Sequence, residues 1–403
     1  MSAASSSVRP VALLSAAAFA SAATARLADP LLPLLAESFS VGVADASAVA
    51  TYFSLSYGFC QIIYGPIGDR LGKYPVIAVL TLVSAAASAA AGFADSLAAL
   101  IWLRLLGGAS AAAIIPLSMA YIGDTVPYER RQPVLARFLS GLVLGVIAGQ
   151  ACGGILGEHV GWRGTFLALA AVYLVVAAAL CAELFSGRVE ITRRRTTLAE
   201  IALSFGRLAA ARPVRIILAT TCCESLLFYG AFTFLGAYLR GFYGLSLTAV
   251  GGMLAAFGSG SMLYSFSAGA LLRRFGQRGM VRAGGVVIAV SFCAIALAPP
   301  LLLMLLPIAG SGFGLYLVHN TLQTRATQMA PEVRGLAVSI FAASFFIGQS
   351  SGVALGGMVV ESLGYAPLFA GAGLLLAVLA ARFSRTVDPR AERPTPAAPG
   401  GSP

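Results

Sequence analysis

The chain has 403 residues, 58% of them hydrophobic and only 11% charged, with a mean hydropathy of +0.86. A soluble protein carries roughly a quarter charged residues, so too little polar surface remains for a water-soluble globule, and lipid is the expected solvent. The formal net charge of +11 does not imply nucleic acid, because the basic residues are scattered between apolar runs and form no face interleaved with aromatics.

Helix is the only conformation that pairs every backbone group in hydrocarbon without closing a barrel, and about 20 apolar residues suffice to cross. Residues 1–10 are short and polar, and the apolar run after them is too long for a cleaved leader. Spans are predicted at 11–36, 46–67, 75–93, 96–122, 133–156 and 164–186, then at 213–239, 246–269, 280–298, 301–324, 336–360 and 364–384. The expected organisation is an all-α membrane protein of twelve helices: a six-helix bundle at 1–186, a basic linker at 187–212, and a second bundle at 213–386. A Pro/Ala/Gly-rich tail at 387–403 is expected to be disordered. Of the 27 basic residues, Arg26 and Arg104 fall within spans and only Arg163 and Arg240 fall on the side opposite the N-terminus. The positive-inside rule then puts both termini in the cytoplasm. The location expected is the inner (plasma) membrane.

The two halves repeat at an offset of 203–204 residues. GPIGDRLGK (65–73) aligns with GALLRRFGQ (269–277), and Pro127–Arg130 with Pro331–Arg334. Gly145, Gly149, Gly153 and Gly154 recur as Gly348, Gly352, Gly356 and Gly357, and GWRGTF (161–166) as GYAPLF (364–369). Two parallel halves of this kind enclose a midplane site in transporters.

From about residue 10 to 385 these motifs resemble the major facilitator superfamily. GPIGDRLGKY resembles the loop 2–3 signature, LIWLRLLGGASAA (100–112) the helix-4 signature with its intramembrane arginine, and GLVLGVIAGQACGG (141–154) the helix-5 signature of antiporters. Gln150 stands where that last signature often has proline. GWRGTF is similar to the start of helix 6 in many drug:proton antiporters. The resemblance implies the twelve-helix, two-bundle fold and secondary transport. The drug:proton antiporters are the nearer branch and bacterial sugar-efflux permeases the looser one.

Intramembrane charges are costly, at roughly 2.5–3.5 kcal/mol each on insertion scales, and so mark candidate sites. Arg26 and Asp29 stand three apart in the first span, with Pro30 and Pro33 predicting a kink. Either they neutralise one another, or Asp29 takes up a proton while Arg26 tunes it or holds an anionic group. By resemblance Arg104 lines the cavity and helps couple protons; the alternative is hydrogen bonding to carbonyls of the first two helices. Glu224 is the second carboxylate at depth, in the opposite half, and a candidate proton carrier or substrate ligand. His319, Asn320 and Gln323 in the tenth span complete the candidate cavity, although a lone histidine at depth is more often a packing residue.

For gating, Gly65, Gly72, Arg70 and Lys73 form the 2–3 turn, with the two cations anchoring the cytoplasmic face. By resemblance, Asp69 should meet a helix N-terminus or an arginine such as Arg130 when that face shuts. Gly145, Gly149 and Gly153 line one helix stripe; they either shape helix 5 as a barrier or pack the halves together. No cofactor or metal is expected: the six cysteines lack ligand spacing, the two histidines lie far apart, and no GxxxxGK[ST] loop occurs.

The function expected is proton-coupled efflux of small amphiphilic molecules by alternating access, with proton symport of an imported metabolite as the alternative. A membrane enzyme or non-transporting receptor is the remote one. The expected partners are the small-molecule substrate, protons and the lipid bilayer, with the chain acting as a monomer.

Overall fold

In this computed structural model the described residues are 8–187, 189, 191, 206, 208, 210–330 and 334–387. Most of the basic linker, and of the tail for which disorder was expected, lies outside that set.

The described residues are mostly helical and contain no strand. Helix α1 runs Val8–Arg26, passes through a 3-10 turn at Asp29–Leu31 and resumes as Leu32–Phe39. It is followed by α2 (Ala48–Leu71), α3 (Lys73–Ala91), α4 (Leu97–Ala111 and Ile114–Thr125), α5 (Tyr128–His159) and α6 (Gly161–Phe185). The second half holds α7 (Arg212–Phe232 and Leu235–Tyr243), α8 and α9 (the two arms of Leu247–Ala296), α10 (Leu305–Gln328), α11 (Arg334–Leu363) and α12 (Tyr365–Ser384). Among the described residues 10 helical stretches are long and apolar enough to cross a membrane. One of them, 50 residues long, bends at Gly276 and supplies two spans. The more polar α2, with 24 residues, completes the twelve.

Local chemistry explains the breaks. Pro30 and Pro33 lack the N–H that a continuous α1 would need, and the chain takes a 3-10 turn there. Gly72 ends α2 at φ 97°, a conformation strained for any other side chain, and so lets α3 begin one residue later. The loop expected at 270–279 is absent. Gly276, at φ 61° and ψ 173°, turns the chain in a single residue, and Arg273, Arg274, Arg278 and Arg282 are carried on helix.

Each half has its own core. One cluster draws on Leu14, Leu31, Tyr74, Ile114, Phe138 and Phe166, the other on Phe228, Leu254, Phe292, Ile308, Val353 and Phe369. Lipid gives apolar side chains no reason to leave it for one another, so close backbone approach must hold the spans together. The glycine stripes supply it within each half. Gly145, Gly149 and Gly153 of α5 lie against the carbonyls of Phe19, Ala23 and Leu27 in α1. Gly348, Gly352 and Gly356 of α11 lie against those of Cys222, Leu226 and Gly230 in α7. The expectation that the first stripe packs the halves against each other is therefore corrected. The crossing contact is made beside the stripe, by the adjacent Gly154, which meets Leu247 and Gly251 of α8, and by its repeat Gly357, which meets Ala44.

Candidate functional site

The two halves meet along a seam of α2 with α11 and α5 with α8. At the face opposite the termini, Arg240 pairs with Glu37 at 3.3 Å and the Thr248 N–H donates to Glu158 Oε2 at 2.7 Å. Deeper in, Gly58 abuts Ala343 and Phe346, while Gly258 abuts Ile147. These contacts close the opposite face down to the middle of the bundle.

At the depth where the seam ends, the broken α1 delivers Arg26 and Asp29, both buried. Arg26 Nη2 donates to Gln349 Oε1 at 3.3 Å, and Gln349 Nε2 donates to Ser54 Oγ at 2.9 Å, so α1, α2 and α11 are tied by side chains alone. The guanidinium lies over the Tyr229 ring of α7 at 3.9 Å. Asp29 Oδ2 is 3.8 Å from Arg26 Nη1, an ion pair too long for a hydrogen bond, and both atoms are without a hydrogen-bond partner. Tyr57 and Phe346 close the seam beside this group, their ring centroids 4.2 Å apart.

A second polar pair lies wholly in the C-terminal half. Glu224 Oε2 and His319 Nδ1 are 3.0 Å apart. The Glu224 side chain is 0% exposed and that of His319 19%, so the imidazole is the member that reaches open space. Phe341 and Phe345 flank the ring at 5.5 and 4.9 Å, and Tyr229 stands 5.5 Å from Phe345, between this pair and Arg26.

Several expected site residues are elsewhere. Arg104 does not line the seam. It is buried inside the N-terminal half, donating to the carbonyls of Val49 and Thr24 at 3.3 Å each, with its guanidinium over Phe53 at 4.0 Å. Donors satisfied by α1 and α2 make it an internal brace. Asn320 interacts with Tyr264, whereas Gln323, one turn further along α10, is exposed and outside the cluster. In the 2–3 turn, Asp69 pairs with Lys73 at 2.7 Å, and Lys73 is shared with Asp124 of α4 at 2.7 Å. Lys73 is thus a buried link within one half instead of a free anchor, and among the described residues Asp69 pairs with it while Arg130 is exposed. Arg70 is exposed, and Gly65 has open space where a Cβ would be.

Sequence reasoning missed Ser54, Phe345 and Phe346, because apolar and small residues in a span look alike without their neighbours. The repeat held a usable signal for one of the partners: counting 203 residues from Arg26 gives Tyr229, the residue it stacks on.

The family model of the Major Facilitator Superfamily matches residues 14–333. The chain belongs to the Major Facilitator Superfamily. It is 26% identical over 365 residues to YwfA of Bacillus subtilis, described as an uncharacterised transporter of this type, covering 90% of this chain and 87% of that one. A shorter likeness, 29% over 153 residues, is to the multidrug export protein EmrB of Haemophilus influenzae, covering 38% of this chain and 30% of EmrB. Among solved structures, a bacterial homologue of the human lysosomal transporter Spinster, inward-facing and unoccupied, superposes with a TM-score of 0.72 at 17% identity over 96% of this chain and 98% of that one. The protein is accordingly a multi-pass membrane transporter for small molecules, a class that in general carries out no catalysis.

Proposed function

We propose that this transporter is a proton-coupled antiporter that exports small amphiphilic molecules by alternating access. Glu224 and His319 carry the proton, Arg26 and Asp29 face the substrate path, and Arg104 braces the N-terminal half. The observation that carries this reading is the buried Glu224–His319 pair, five residues along α7 from Tyr229, the ring on which Arg26 of the other half stacks. A carboxyl group in direct contact with an imidazole that reaches open space can take a proton from one side and pass it on when the seam moves. Export is favoured by the partial likeness to EmrB. The basic residues on the terminal face support cytoplasmic termini in the inner membrane. The halves 1–186 and 213–386 would rock as bodies about the seam, joined by the 187–212 linker, with the chain working as a monomer. The 2–3 turn (Gly65, Asp69, Arg70, Gly72 and Lys73), Arg130 and the α5 glycines would govern closure of the terminal face.

Reconstitution into liposomes with an imposed proton gradient tests the reading. An antiporter moves protons against substrate, so adding substrate on one side releases protons to that same side. Substrate and proton moving together would replace export by symport. No substrate-dependent proton movement across an amphiphile panel would remove proton coupling.

A further inference from the structure

Resting on the transport reading above, we propose that Arg26 anchors an anionic oxygen of the substrate, so that the transported molecule is a ring-bearing organic monoanion, and that Asp29 is the group this anion displaces.

The charges at the bundle centre are unequal once each is assigned a partner. Glu224 has its own partner in His319 at 3.0 Å. Asp29 lies within electrostatic reach of two guanidiniums, Arg26 and Arg104. Arg104 is fixed by two backbone carbonyls and two rings, whereas Arg26 is held by one neutral amide and one ring. Glu224 Oε1 and Asp29 Oδ2 each lack a hydrogen-bond partner as well, but around the broken α1 two guanidiniums face a single carboxylate, so the surplus charge beside Arg26 is positive.

The geometry at Arg26 suits an anion. Its Nη1 is buried and donates to nothing, and the nearest carboxylate oxygen is at 3.8 Å and equally unsatisfied. A buried donor without a partner is costly, the more so when charged, so an oxygen placed on Nη1 is favoured over the empty arrangement. With the guanidinium face on Tyr229 and Nη2 committed to Gln349, the remaining in-plane edge is the one a carboxylate or phenolate approaches. Tyr57, Phe345 and Phe346 stand around the seam as flat apolar walls, with Tyr57 and Phe346 at 4.2 Å and Phe345 and Phe346 at 5.3 Å between centroids. They suit the ring that carries the charge.

Three probes sharing one ring system separate the possibilities: 2-naphthoate, 2-naphthamide and 2-naphthylmethylammonium, offered to the purified full-length protein in thermal-shift and binding assays. Naphthoate alone should bind. Arg26→Lys should weaken it about tenfold through loss of the planar fork, and Arg26→Gln should abolish it. Asp29→Asn, which removes the competitor, should tighten it about tenfold, and this keeps the test valid should Arg26→Gln fail to fold. Preferential binding of the ammonium or amide probe overturns the proposal. So does an unchanged naphthoate affinity in Asp29→Asn, or no naphthoate binding to either protein. Proteoliposomes separate this from the transport reading. Proton flux evoked by the ammonium probe leaves antiport standing and removes the anion, whereas naphthoate binding without any flux removes proton coupling and leaves the anion site. Exchange of one monoanion for one proton moves two charges, so a potassium–valinomycin potential should change its rate, while movement of both together should be insensitive to it.

Discussion

The two halves of this transporter share a frame and differ in chemistry. In each, a glycine stripe on the fifth helix of the half lies against backbone carbonyls of the first: Gly145, Gly149 and Gly153 against Phe19, Ala23 and Leu27, and Gly348, Gly352 and Gly356 against Cys222, Leu226 and Gly230. All these pairs are related by the same shift of 203 residues. Position 26 of the first half corresponds to position 229 of the second, and there the match ends, because one is arginine and the other tyrosine. The two stack on each other at 3.9 Å. Duplication thus brings equivalent residues face to face at the centre, where unlike residues make a contact that two like ones would not. The polar inventory diverges in the same way, with two guanidiniums and one carboxylate in the N-terminal half and a carboxyl–imidazole pair in the C-terminal half.

The largest expected effect breaks the chemical side of that comparison. Glu224→Gln keeps a hydrogen bond to His319 but removes the titratable oxygen, and should lower substrate-driven proton flux in proteoliposomes by about a hundredfold or more. Binding of a substrate that does not need the proton should survive. Flux near the wild-type value would move the proton to Asp29 and make the halves' roles the reverse of those proposed.

An intermediate effect tests the shared frame. A valine at Gly149 would drive its Cβ into the backbone of Ala23, and one at Gly352 into the backbone of Leu226, and neither carbonyl can swing aside as a side chain could. Overpacking of this kind costs about 1–3 kcal/mol. Both variants should melt about 5 °C or more below wild type in detergent, by similar amounts. Unequal losses would mean that the two stripes, alike in backbone, bear different loads.

What could be read from the sequence follows the same division. Span number, the two halves and the α1 kink were legible because hydropathy, repeat and proline act locally: Pro30 and Pro33 disrupt any helix they enter. Asp29, Glu224 and His319 were legible as candidates, since charge at depth is rare. Their partners were not. Nothing in a single sequence says whether Arg104 turns toward the seam or toward Val49 and Thr24, a matter of helix rotation within the bundle. Asp69 shows the same limit, because the partner expected for it belongs to the state in which the terminal face is shut. With the opposite face sealed, its carboxylate rests on Lys73, one helical turn away, which Asp124 holds in place. Gly276 was missed as a one-residue hinge because the expected basic loop and a bent helix have the same composition.

The smallest expected effect concerns Gly65. It lies within α2, yet a Cβ there would meet nothing within 4 Å, unlike Gly68, which Leu117 crowds. Gly65→Ala should therefore raise stability slightly, by up to about 1 kcal/mol from helix propensity, and leave substrate binding unchanged. Turnover decides what the glycine is for. The contacts that join the halves here seal the opposite face, and transport requires the terminal face to seal in its turn, bringing the end of α2 toward the other half. A slow Gly65→Ala variant with normal binding and a raised melting temperature would show that the space at Gly65 is reserved for that closed state. A variant with normal turnover would mean that the glycine answers to no contact in either state, and that Gly72, with its φ of 97°, is the one position in the turn where glycine is demanded.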